Sequence, residues 1–493
     1  MQRLVLTSVP PTARRTAVRL SPLLAALVLA GCASVAPDGL RSAVGEHTAD
    51  RLPANAQLAD PSPQARADAQ QQIAQWLQQP LDADTAVRIA LLNSPALEAQ
   101  IAALGVQDAQ RVQALTLPNP TLTLGRFVNG HEREIERQLS FGLVSLITLP
   151  WRARWQGWQM EQATLSAAQQ VLLHAADTRR AWLRAVAAQQ TLHSAETLHE
   201  AAAAGGELAR RMARVGNFSK LEQAQELRVQ HDAAAALARA RLNAALEREQ
   251  LARLMGLWGS QSAFSLPKVL PDLPKPAELR SGDDAEATAL RERLDLRALR
   301  RELDTTADRN GFARVGAVFG DIGASYSRNT ATDRDTRHDD VTRGWELDIP
   351  LPIFDWGGAA SGAARSTLQR NAAQLRDGAL RARSEARSHW LRYRTAYDLA
   401  QQQRTEVLPL AQFMQDEAIY RYNGMFISTW QLLAQARATA QAVATATEAQ
   451  RDFWLAETDL QLALTGTSPS TSAGTMPSIA TPAAAAAPTE AGH

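Results

Sequence analysis

The sequence predicts a mainly α-helical protein with a small β part: long coiled-coil helices, four membrane-crossing strands per protomer and an internal duplication. Three observations lead there. Alanine, glutamine, leucine and arginine fill long stretches while aromatic residues make up only 5% of the chain, the bias of helices packed through small side chains. Two helical runs reach far beyond ordinary globular length; sixty residues at the α-helical rise cover about 90 Å. Short stretches of apolar/polar alternation recur at equivalent places in two halves of the chain.

At 493 residues the chain could hold several domains or one extended unit. With 52 Lys+Arg against 51 Asp+Glu, its net charge of +1 offers no basic field for nucleic acid. The first element is a secretory signal over residues 1–31. Arg14, Arg15 and Arg19 precede an apolar run, Leu20 to Ala30, too short to span a bilayer as a mature helix. The run ends in Leu29-Ala30-Gly31-Cys32, which resembles the lipobox of bacterial lipoproteins. Cys32, the single cysteine, has no intrachain disulfide partner and is expected to carry acyl chains, each buried methylene adding about 0.8 kcal/mol of membrane affinity. In such lipoproteins Ala33 after the Cys implies passage to the outer membrane. No later segment reaches 18 consecutive apolar residues, so any further crossing must be made by strands.

Residues 32–78 read as an extended, acylated arm and 467–493 as a disordered Ser/Thr/Pro/Ala tail. Between them, a first repeat (79–265) and a second (284–466) flank a proline-spaced linker (266–283) that cannot be helical.

In the first repeat a helix is expected from Leu81 to about Leu115, striped by Ala86, Ile89, Ala90, Leu97, Ile101, Leu104 and Val112, and stopped by Leu117-Pro118-Asn119-Pro120. Strands follow at about 121–128 and 135–149; in the second, Ile135, Leu139, Phe141 and Leu143 alternate with polar residues, spoiled only by Arg137 on the apolar side. A helix from about Arg154 to Arg214 pauses at Val215-Gly216-Asn217-Phe218-Ser219 and resumes to about Leu257.

The second repeat has the same order. A helix (about 284–310) leads to Val318, Ile322, Ala324 and Tyr326 on one strand face, a polar loop Asn329 to Asp340, and the strand Trp345 to Leu351. A long helix then runs to about Tyr422, breaks at Asn423-Gly424-Met425-Phe426-Ile427-Ser428, and continues to about Leu464. Gly216 and Gly424 lie 208 residues apart and Pro150 and Pro352 lie 202 apart, the signature of a duplication.

Four strands cannot close a barrel, and an open sheet in lipid leaves its edge amides unpaired, so several chains must pool their strands. Phe127, Tyr326 and Trp345 suit an interfacial aromatic belt. The face Leu433, Ala436, Ala440, Val443 suits close helix packing.

Over residues 81–466 this layout resembles the TolC family of outer-membrane efflux proteins. The resemblance is carried by Leu81-Asp82-Ala83-Asp84-Thr85-Ala86-Val87-Arg88-Ile89-Ala90-Leu91 with Asn93-Ser94-Pro95, by Leu117-Pro118-Asn119-Pro120 ahead of the first strand, by Pro350-Leu351-Pro352-Ile353-Phe354-Asp355 after the last, and by Arg421-Tyr422-Asn423-Gly424-Met425-Phe426-Ile427-Ser428. It implies a homotrimer whose chains close one 12-stranded barrel in the outer membrane, continued by a periplasmic helical tunnel. The partners implied are a periplasmic adaptor (membrane fusion) protein and an inner-membrane pump of the resistance-nodulation-division type, with drugs, metal ions or metabolites as cargo. By the same resemblance the turns Val215 to Ser219 and Tyr422 to Ser428 dock the adaptor.

Family members often carry Asp at the sixth and ninth positions after the second-turn glycine, ringing the tunnel mouth. Here those positions are Trp430 and Leu433, and the matching positions after Gly216 are Glu222 and Gln225. The expectation is a mouth sealed by apolar side chains, with Glu222 supplying any acidic ring. No HExxH, GxSxG or GxxxxGK[ST] pattern occurs and the nine histidines do not cluster, so no enzyme activity, metal site or cofactor is expected. The competing reading is a non-transporting coiled-coil outer-membrane lipoprotein scaffold, which leaves the paired strands unexplained.

Overall fold

The computed structural model describes residues 34–469 apart from 118, 131, 320–321, 334, 337, 350, 352 and 355. The signal segment, Cys32, tail residues 470–493, and Pro118, Pro350, Pro352 and Asp355 of the motifs above lie outside the described residues. The chain forms two compact units. Among the described residues, one comprises those up to His47, Glu98–Ala168 and Leu296–Asp377; the other comprises Thr48–Leu97, Gln169–Asp295 and those from Gly378 on.

The expected arm 32–78 is not simply extended. It contains helices α1 (Arg41–Thr48) and α2 (Pro63–Trp76). Ser62 caps α2 with Pro63 in its first turn, and the fully buried Ile73 anchors it to the core. The Ala/Gln-rich sequence shows no apolar stripe because Ile73 is its one buried residue.

The helix expected over Leu81–Leu115 is two, α3 (Ala83–Asn93) and α4 (Pro95–Leu115). Asp82 caps α3 by accepting from the Thr85 amide at 2.6 Å. Pro95 forces Ser94 out of the helical region, to ψ 115°, and so separates them.

Four strands, β1 (Thr121–Asn129), β2 (Glu132–Gly142), β3 (Gly323–Asp333) and β4 (Asp339–Asp348), form one antiparallel sheet in the order β1-β2-β3-β4. Several boundaries differ from expectation: β4 stops at Asp348 instead of running on to Leu351, ahead of the proline-rich exit. Residues 143–149 are not strand: Leu143–Ile147 is a short helix, α5, and α6 (Leu149–Arg214) begins at once, because Leu143-Val144-Ser145-Leu146-Ile147 carries no alternation. The expected loop Asn329–Asp340 is mostly ladder, because cross-strand hydrogen bonding, not hydropathy, extends these polar strands. Val318 lies in a helix, not on the strand face.

The remaining helices are α7 (Lys220–Leu254), α8 (Ala285–Glu292), α9 (Leu294–Phe319), α10 (Gly358–Gln402), α11 (Leu408–Asn423) and α12 (Thr429–Thr465). A π-helical turn, Gln403–Val407, interrupts the expected continuous run between α10 and α11. Pro409 lacks the amide that would continue the regular ladder there.

Among the described residues of the second unit, two of the buried clusters that hold the helices stand out. One gathers Leu81, Trp182, Leu251 and Met255, with the Trp182 indole donating to Leu81 O at 2.6 Å. The other packs Tyr393 and Tyr397 around Phe453. The proline-rich linker is tied to these helices rather than loose: Pro271 O accepts from Trp454 Nε1 and Pro274 O from the Tyr397 hydroxyl, at 3.0 and 3.1 Å. It holds only one short helical turn, Pro276–Glu278.

Candidate functional site

The sheet is built so that its two faces differ in charge. Register is unbroken through all three pairings, so residues opposite one another share a face. On one face stand Glu132, Glu134, Glu136, Asp333, Asp340, Glu346 and Asp348 with Thr, Ser, Asn and Gln, and no Lys or Arg. Gln138 Nε2 donates to Ser325 Oγ at 2.9 Å and Asn329 Nδ2 to Glu134 at 3.2 Å across this polar face.

The opposite face carries Leu122, Leu139, Tyr326 and Trp345 as one row, flanked by Phe141, Ala324 and Leu347. Leu122, Trp345 and Leu347 are 61%, 78% and 57% exposed, far from the buried state that apolar side chains on a sheet normally find. Tyr326 and Trp345 pack ring to ring at 5.0 Å. Phe127, expected in the same aromatic belt, lies on the polar face over Gly125 and opposite Glu134, because β1 alternates against the placement proximity suggested. Strands β1 and β4 each pair on one side only among the described residues, leaving two open edges.

In the second unit the two inter-helix turns are built alike. Each closes with a six-to-one hydrogen bond, Asn217 N to Met212 O at 3.0 Å and Phe426 N to Arg421 O at 2.8 Å. Each opens the next helix with a capping box: Ser219 with Glu222, and Ser428 with Gln431. The left-handed residue is Gly216 (φ 79°) in the first turn but Met425 (φ 61°) in the second. The matching glycine is therefore not Gly424. Its φ is −80°, open to any residue, and a Cβ there would sit 2.8 Å from the Phe426 ring, so a larger residue would require that exposed ring to move. The structural counterpart of Gly216 is Met425, an offset of 209, and that of Glu222 is Gln431, which corrects the register by one.

Val215, Met425 and Phe426 are 69%, 93% and 83% exposed at these turns. Tyr422, Asn423, Asn217 and Ser428 are exposed too, while Phe218 and Ile427 are half-buried. Glu222 accepts the Ser219 amide at 2.8 Å, and that bond, with the Ser219 hydroxyl, holds its carboxyl below the usual range. Its place in the chain is thus a helix cap. Trp430 stacks on Phe218, Leu433 lies 3.0 Å from where a Cβ on Gly205 would stand, and Gln225 is exposed. The structure therefore joins Phe218, Gly205, Trp430 and Leu433 in one contact between α6, the first turn and α12, completed by Arg437–Glu226 at 3.2 Å. Gly205, Glu226 and Arg437 escaped the sequence reading; two adjacent glycines inside a long helix were the available signal. Among the described residues no group of three or more His, Cys, Asp or Glu is placed to hold a metal ion, and no single helix is long and apolar enough to cross a membrane.

No protein-family model matches the sequence, and no curated protein matches it. Solved structures do. The chain is similar to the Campylobacter jejuni CmeC outer membrane channel (TM-score 0.65, 14% identity, 79% of this chain and 86% of that one). It is also similar to CusC, described for transmembrane channel formation (0.61, 17%, 78% and 92%), and to the outer membrane protein VceC of Vibrio cholerae (0.59, 15%, 83% and 99%). At such identities the likeness establishes the fold: this chain has the fold of the outer-membrane channels of the TolC family.

Proposed function

We propose that this chain is one protomer of an outer-membrane efflux duct, anchored through Cys32, passive, and fed by an inner-membrane pump of the resistance-nodulation-division type through a periplasmic adaptor. The observation that carries the reading is the sheet. A four-stranded sheet with an exposed apolar band on one face, an acidic opposite face and two open edges is stable in lipid only if the edges pair with other chains. Pooling the strands of a homotrimer gives a 12-stranded barrel with the apolar face outward and the carboxylates lining water. The lumen then favours cations.

The exposed Val215, Met425 and Phe426 support the two turns as the adaptor's docking surface. Trp430 and Leu433, packed on Phe218 and Gly205, are proposed to hold the tunnel mouth closed by fixing one helical hairpin against the other. Cargo is chosen by the pump, so drugs, metal ions and metabolites all remain compatible with this chain.

Planar-bilayer conductance of the detergent-extracted protein, with its mass measured on the same sample, tests the duct. Discrete conductance steps from a trimer are expected. A monomer without conductance would leave the coiled-coil scaffold reading in its place.

A further inference from the structure

The apolar sheet face is interrupted by a feature that a lipid-facing wall should avoid. Arg137, the residue that spoils the alternation of β2, stands directly opposite Arg328 of β3, and Arg328 directly opposite Arg343 of β4. All three are exposed, and none forms an ion pair among the described residues; the one side-chain bond in the row runs from Arg137 Nη1 to Thr330 Oγ1 at 3.4 Å. Like charges opposite one another across strands are unfavourable, and an uncompensated arginine is costly in lipid away from the interface. Three guanidinium groups in line span about 10 Å at the spacing of sheet strands.

The row also marks a boundary. Toward the helical ends of the strands the face is apolar: Leu122, Leu139, Tyr326, Trp345, then Phe141 and Leu347. Toward the hairpin turns it becomes mixed, with Arg126, Arg133 and the single carboxylate of this face, Asp339, which accepts from the Thr332 hydroxyl; Arg133 Nε is buried without a hydrogen-bond partner among the described residues. A tyrosine–tryptophan pair immediately below a cationic row is the order of side chains met at a bilayer's headgroup level.

We infer that Arg137, Arg328 and Arg343 form a binding site for the phosphate groups of a lipid headgroup, in the leaflet on the side of the β1–β2 and β3–β4 hairpin turns. Arginine suits the task because its planar fork pairs with phosphate oxygens through two bonds at once and stays charged. A bound phosphate lipid cancels the repulsion along the row and fixes the height of the barrel in the membrane. The inference rests on the outer-membrane reading above.

The test uses the full chain in neutral detergent, delipidated, with diphosphorylated lipid A in mixed micelles as probe and native mass spectrometry as readout. Wild type is expected to retain it at least tenfold better than dephosphorylated lipid A. Arg137→Gln/Arg328→Gln/Arg343→Gln should lose that preference; Arg343→Gln alone, on the edge strand, should lose about half of it on a logarithmic scale and serves if the triple variant does not fold. Equal retention of the two lipids by wild type, or a preference untouched in a folded variant, overturns the site. So does displacement by millimolar inorganic phosphate, which would make the free anion the occupant. Conductance on the same preparations judges the duct separately: conduction without lipid preference sinks the lipid site alone, and lipid preference without conduction sinks the duct alone.

Discussion

The Trp430 indole lies on the Phe218 ring, centroids 4.9 Å apart and planes 23° from parallel. This contact joins the first inter-helix turn to the start of α12. It places the residue expected to seal a tunnel mouth against a residue expected to dock an adaptor.

Stacked aromatic pairs contribute about 0.5–1.5 kcal/mol beyond the area they bury. Phe218→Ala and Trp430→Ala should therefore show a coupling of that size in a double-mutant cycle of unfolding free energies in detergent. Trp430→Ala should also raise single-channel conductance; unchanged conductance would remove Trp430 from any gate while leaving the stacking intact.

Met425 holds a left-handed backbone that costs a non-glycine residue about 1–2 kcal/mol. Met425→Gly should raise the heat-dissociation midpoint and, by removing a side chain that is 93% exposed, weaken adaptor binding in a pull-down with purified adaptor. A gain in stability with undiminished adaptor binding would exclude Met425 from the docking surface.

Arg293 is 2% exposed and pairs with Asp295 at 2.6 Å and Glu385 at 2.7 Å. Burial pulls its pKa down, but the bonds and charges of Asp295 and then Glu385 outweigh that and leave it raised. Arg293→Met leaves two carboxylates without their cation and should cost about 3–5 kcal/mol in chemical denaturation. A loss under 1 kcal/mol would mean that water or a neighbour replaces the guanidinium.

His174 and His389 are both depressed below the ordinary histidine value of 6.5, mainly by burial. As pH falls below about 6.5 the unfolded chain takes up these protons first, so stability declines there and is fully present above it. The melting temperature should drop between neutral pH and pH 5, and His174→Gln with His389→Gln should flatten the slope. Burial raises Glu457 instead, so its unfolded form ionises first as pH rises and Glu457→Gln should stabilise the protein at neutral pH.

If the acidic face lines water, the duct should pass potassium in preference to chloride. Glu134→Gln/Glu136→Gln/Glu346→Gln should lower that preference, measured as a reversal-potential shift in a salt gradient. Equal permeabilities in wild type would place these carboxylates elsewhere.

The sequence by itself determined the order of elements, the long helices, the two pauses and the existence of four strands. Periodicity and glycine or proline punctuation are local properties, and they survive without knowledge of neighbours. It also showed Arg137 as a break in a strand pattern, but not what the break meant. Only the pairing of β2 with β3, nearly 200 residues away in the chain, and of β3 with β4 sets Arg328 and Arg343 in line with it and gathers all the strand arginines on one face. The turn register shows the same division. Two glycines invited alignment, yet hydrogen bonds matched Gly216 with Met425, because backbone conformation, not residue identity, defines equivalent positions. The packing of Trp430 on the Phe218 ring likewise waited for the fold, since a side chain's contacts depend on what the chain brings against it.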